Sequence, residues 1–155
     1  MLACAEKRKP FLPPEAALLS RNLDVLVVHS EERIRQFLNV HLWRAGYHVR
    51  TAQDAAAAGA LILDAAPDVM VLDTDAQGMD CFDFLAGIRA DKAIPFFPVI
   101  YLTADMNAAG SAHDLGAACV QKPVQPGKLL ATIALSALIQ RPLPRAVRRL
   151  HSVVN

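Results

Sequence analysis

A chain of 155 residues with 54% apolar side chains carries enough apolar material for one buried core, which excludes an intrinsically disordered polymer. The net charge of +1 conceals an asymmetry: residues 23–114 carry 13 acids and 6 bases, residues 1–22 four bases and two acids, and residues 115–155 six bases and no acid. Three cysteines (Cys4, Cys81, Cys119) without metal-site spacing exclude a disulfide framework, and no apolar run reaches the roughly 20 residues of a bilayer span.

Glu6, Lys7, Arg8 and Lys9 stand where a signal peptide needs an apolar stretch, so a cytoplasmic protein with reduced thiols is expected. Pro10, Pro13 and Pro14 interrupt the first stretch, and residues 1–22 read as an N-terminal arm with a short helix over Glu15–Leu19. Val25–Val28 is a short run of β-formers, expected as a strand buried on both faces. Ser30 is the expected N-cap of the next helix, with Glu31 and Glu32 in its first turn. Ile34, Phe37, Leu38, His41, Leu42 and Ala45 recur at helical spacing until Gly46 ends the pattern.

Tyr47–Ala52 reads as a second strand, and Asp54 as the cap of an alanine-rich helix running to Leu63. Pro67 precedes a third buried strand, Val69–Leu72, with Asp73 directly after it. Cys81–Arg89 is expected as a helix with Phe84, Leu85 and Ile88 inward. Pro98 precedes a fourth strand, Val99–Leu102, and a short polar helix over Ala108–Leu115 ends at Gly116. Cys119–Gln121 is the fifth strand. The last helix, Pro126–Ile139, is apolar at Leu129, Leu130, Ile133, Leu135 and Leu138.

Strands alternating with helices argue for an α/β fold, a doubly wound parallel sheet covered by helices on both faces. In such sheets the site lies beyond the carboxyl ends of the strands. That rim holds His29, Ser30, Asp73, Thr103 and Lys122. The expected division is 1–22 arm, 23–140 domain and 141–155 basic tail.

The landmarks Val28-His29-Ser30-Glu31, Val71-Leu72-Asp73, Gly78-Met79-Asp80, Tyr101-Leu102-Thr103-Ala104 and Lys122-Pro123, in this order and spacing, resemble response-regulator receiver domains of two-component signalling. The resemblance covers Asp24 to Ile139. It implies a CheY-like, flavodoxin-like sheet of order 2-1-3-4-5, and a phosphorelay role rather than an enzyme's, with at most self-phosphorylation and dephosphorylation at Asp73. It implies that Asp73 is the phosphoacceptor for a histidine kinase or phosphotransfer protein, that Lys122 contacts the phosphoryl oxygens, and that the Thr103 hydroxyl acts as the switch. Pro123 implies a cis peptide that aims Lys122.

The sequence departs from the family at the positions of its Mg²⁺-binding acidic pair, where His29 and Ser30 stand. Both are poor Mg²⁺ ligands. Weak Mg²⁺ binding and slow or absent phosphorylation are therefore expected, with Asp73 and Asp75 left as doubtful metal ligands. Cys119 stands where the family carries an aromatic, Val124 replaces the aromatic after Lys-Pro, and Gln77 replaces the Pro before Gly78. An atypical receiver working through protein–protein contact, on the face of the fourth helix, fifth strand and fifth helix, is the expectation; a conventional regulator phosphorylated on Asp73 is the alternative. A flavin enzyme is disfavoured, because His29-Ser30-Glu31-Glu32 is not the run of Ser, Thr and Gly expected to cradle a phosphate. The tail after Gln140 is too short for a helix-turn-helix, so sequence-specific DNA reading is not expected.

Overall fold

The computed structural model describes residues 23–74, 80–105 and 117–139, with side chains to Ala137. The expected arm, the Ala108–Leu115 helix, the basic tail, Asp75, Gln77, Gly78, Met79 and the Leu138 side chain lie outside the described residues.

Five strands, β1 (Asp24–Val28), β2 (His48–Ala52), β3 (Val69–Asp73), β4 (Val99–Thr103) and β5 (Ala117–Gln121), form one parallel sheet of order β2-β1-β3-β4-β5. The described helices are α1 (Glu32–Arg44), α2 (Ala55–Asp64), α3 (Cys81–Ala90) and α4 (Pro126–Ile139). The expected fold class and strand order are borne out.

Strand side chains alternate between faces, and this sorts the apolar runs into two cores. Leu26, Val28, Met70, Leu72, Val99 and Tyr101 pack with Ala58 and Ile62 of α2 and Cys81, Leu85 and Ile88 of α3. Val25, Val27, Val69, Val71, Ile100 and Leu102 pack on the opposite face with Leu38 and Leu42 of α1 and Leu129 and Ile133 of α4. Each such fully buried aliphatic contributes roughly 1.5–3 kcal/mol.

The helix ends follow local chemistry, with one correction. Asp54 caps α2 by accepting from the Ala57 N–H at 2.8 Å, and Asp80 caps α3 by accepting from Phe82 and Asp83. Gly46 ends α1 at φ +99°, a left-handed conformation that glycine adopts without Cβ strain. Ser30 is not the N-cap of α1. Glu31 holds that position without a side-chain cap bond, because the His29–Glu31 loop is tied down otherwise, as described below.

Element boundaries shift by one or two residues from expectation: β1 begins at Asp24, β2 at His48, α2 runs to Asp64 and α3 to Ala90. β3 includes Asp73, β4 includes Thr103, and β5 begins at Ala117. Leu135 is 58% exposed and Phe37 42% exposed, so these two apolar residues leave the buried faces of α4 and α1.

Candidate functional site

The sheet order sets the site. β3 is central, flanked by β1 and β4, so Asp73 at its carboxyl end has the residue after β1 on one side and the ends of β4 and β5 on the other. Backbone bonds continue the pairing past the strand ends. His29 N–H donates to Ala52 O at 3.1 Å, Thr74 N–H to Leu102 O at 3.1 Å, and Lys122 N–H to Thr103 O at 2.8 Å. These bonds fix the backbones from which the site side chains project.

Asp73 is 2% exposed. Lys122 Nζ makes a close ion pair with its Oδ1, and His29 Nε2 stands 3.3 Å from its Oδ2. A carboxylate this deeply buried is costly unless charge and hydrogen bonds compensate it, and the two neighbours approach different oxygens. The Lys122–Pro123 peptide is cis. The Cys81 thiol donates to the backbone carbonyl of Asp73 at 3.0 Å, and the Tyr101 hydroxyl donates to Cys81 O at 3.3 Å. Core side chains thus reach the backbone of Asp73.

The His29 ring is oriented through its other nitrogen. Glu31 N–H donates to Nδ1 at 3.0 Å, so Nδ1 carries no proton and the neutral ring carries its hydrogen on Nε2, facing Asp73. Burial lowers the His29 pKa, partly opposed by Asp73, which favours the neutral ring. Arg35 reaches back from α1 and donates through Nη1 to His29 O at 2.7 Å and Ser30 O at 2.9 Å. Ring and guanidinium together hold the loop that a Ser30 cap was expected to hold.

The structure brings together His29, Asp73 and Lys122. Ser30 is exposed, with its carbonyl turned to Arg35. Thr103 is buried, but its hydroxyl closes a local turn: it accepts from Asp105 N–H at 3.1 Å and donates to Asp105 O at 3.0 Å. Cys119 pairs in register with Tyr101 and is half-buried; burial raises its pKa, which keeps the thiol protonated. Arg35 and Cys81 were not singled out as site residues from sequence. Arg35 carries no motif, and the Cys81 contact depends on the path of the chain between β3 and α3.

A divalent cation is the group the fold would bring to this rim. Mg²⁺ takes oxygen ligands, chiefly carboxylates and water. Among the described residues no three His, Cys, Asp or Glu side chains are grouped as a metal set, and the residue beside Asp73 is an imidazole. The described residues do not fit Mg²⁺.

Residues 25–134 match the family described as response regulator receiver domain. The chain is 29% identical over 123 residues to the phosphate regulon transcriptional regulatory protein PhoB of Pseudomonas aeruginosa, covering 77% of this chain and 53% of that protein. It is 37% identical over 112 residues to the probable transcriptional regulator ycf27 of Guillardia theta, covering 70% of this chain and 43% of that protein. The chain spans about half the length of the curated relatives it matches. Among solved structures, the chemotaxis response regulator CheY4 of Vibrio cholerae superposes with a TM-score of 0.69 at 30% identity, over 74% of this chain and 98% of that one. NtrX from Brucella abortus gives a TM-score of 0.70 at 29% identity, over 86% of this chain and 30% of that one.

Proposed function

Because the chain belongs to the response regulator receiver domain family of two-component signalling, we propose that it is an atypical member, one that signals through protein–protein contact with weak or no phosphorylation at Asp73. One observation carries this reading: His29 and Ser30 occupy the positions of the family's acidic pair, and the His29 ring stands 3.3 Å from Asp73 Oδ2. Phosphoryl transfer needs a cation to neutralise crowded oxygens and align the reactants. Without the two carboxylates, Lys122 is the cation described against Asp73.

Receiver domains interact with histidine kinases or phosphotransfer proteins, and these are the partners to test for Asp73. The partner or self-association surface is the face that includes β5 and α4, where Leu135 is exposed. The transcriptional regulation that the names of the longer relatives state belongs to those proteins. No described helix is long and apolar enough to cross a membrane, and a cytoplasmic setting is part of the proposal.

The conventional reading has one observation in its favour: Asp73 and Lys122 are paired at the sheet's carboxyl rim. Intact mass after incubation with excess acetyl phosphate and Mg²⁺, for wild type and Asp73→Asn, separates the two. No mass gain in folded wild type supports the atypical reading. A stoichiometric gain of one phosphoryl group in wild type alone overturns it.

A further inference from the structure

We propose that His29 is a positioning residue that takes the place of a divalent cation at Asp73: as the Nε2–H tautomer it sets the polarised N–H side of its ring against Oδ2 while Lys122 holds Oδ1, so the carboxylate is compensated from within the protein. This rests on the receiver reading above and adds what stands in the cation's place and why it resists displacement.

Three features support it. First, the two neighbours divide the carboxylate, Lys122 Nζ against Oδ1 and His29 Nε2 3.3 Å from Oδ2, and the His29 side chain is 6% exposed. Second, neither ring nitrogen has a lone pair to offer a metal. Nδ1 spends its lone pair on the Glu31 N–H at 3.0 Å, and Nε2 bears the proton. A cation would have to strip one of these and rebuild the loop. Third, the loop resists rebuilding. Arg35 binds the carbonyls of His29 and Ser30, and His29 N–H is tied to Ala52 O at the end of β2. The imidazole therefore stands 3.3 Å from Asp73 Oδ2 before any ligand arrives, and the arrangement at Asp73 does not depend on Mg²⁺.

The first measurement is a long-range ¹H–¹⁵N spectrum of the wild-type histidine rings, with and without excess Mg²⁺. The His29 ring is expected as the Nε2–H tautomer with signals that Mg²⁺ does not move. An Nδ1–H tautomer, or ring shifts that saturate with Mg²⁺, would overturn the proposal. The second is a Mn²⁺ titration followed by the free-ion resonance for wild type, His29→Asp and His29→Asn. His29→Asp is expected to bind Mn²⁺ about tenfold or more tighter than wild type, because it returns a carboxylate to this position; His29→Asn is expected to show no gain. Equal affinity in wild type and His29→Asp overturns the proposal, and the ring spectrum decides it if His29→Asp does not fold. A wild type that takes up phosphate yet keeps an Nε2–H ring blind to Mg²⁺ would sink the atypical reading and leave this one standing.

Discussion

Arg35 Nη1 lies 2.7 Å from the carbonyl oxygen of His29. It is the side chain that joins α1 to the loop carrying the ring beside Asp73. Arg35→Ala should destabilise the domain by about 1 kcal/mol, since a partly exposed charged donor to two carbonyls is lost. It should also accelerate hydrogen exchange at the Glu31 amide, which donates to the His29 ring. Arg35→Lys should rescue little, because an ammonium lacks the planar fork. Denaturant titration and exchange measured by NMR check both.

Lys122 and Asp73 should behave as a unit. Lys122→Met leaves a carboxylate 3% exposed without its cation and should cost about 3 kcal/mol. Asp73→Asn in the same chain should recover most of that loss. A double-mutant cycle on urea unfolding gives the coupling, and additive effects would mean that the pair does not share an environment.

Alkaline pH should reveal the two tyrosines only as the fold fails. Tyr47 is 5% exposed and Tyr101 fully buried, and burial raises both above the ordinary value near 10. For an acid whose folded pKa is raised, the stability is fully present below the unfolded pKa and is lost as pH rises above it. Phenolate absorbance should therefore stay absent near pH ~10 and appear in one cooperative step that coincides with loss of helical circular dichroism.

Cys81 should be inert in the folded protein. Its thiol is buried and turned to Asp73 O at 3.0 Å. Alkylation mapped by mass spectrometry should modify Cys81 only under unfolding conditions, with half-buried Cys119 reacting before Cys81.

Gly46→Ala should cost about 1 kcal/mol in thermal unfolding. The left-handed φ of +99° is the cause, because an added Cβ would meet no atom within 4 Å. Gly46→Asn should cost less, since asparagine tolerates this region.

The strands were legible where β-branched and leucine side chains ran together, as in Val25–Val28 and Val69–Leu72, because a parallel sheet buries both faces. The pattern of β5 starts only at Cys119 because Ala117 and Ala118 carry little β preference; they are held by pairing with Val99 and Ile100. Leu135 stays exposed because α4 carries more apolar residues than its buried face can take, and composition alone does not say which stay out. At the site, the residue order placed Asp73, Lys122 and His29 on one rim. It did not show that the Thr103 hydroxyl would close on Asp105, or that the His29 ring would replace Ser30 in ordering the loop. Both depend on side-chain directions that no spacing rule encodes.

The most direct test compares the rate of phosphate uptake at Asp73, from acetyl phosphate with Mg²⁺, in wild type and in His29→Asp/Ser30→Asp. The account predicts little or no uptake in wild type and uptake about tenfold faster or more once the two carboxylates return. Equal, rapid uptake in both proteins would contradict it, showing that this receiver does not need the acidic pair it lacks.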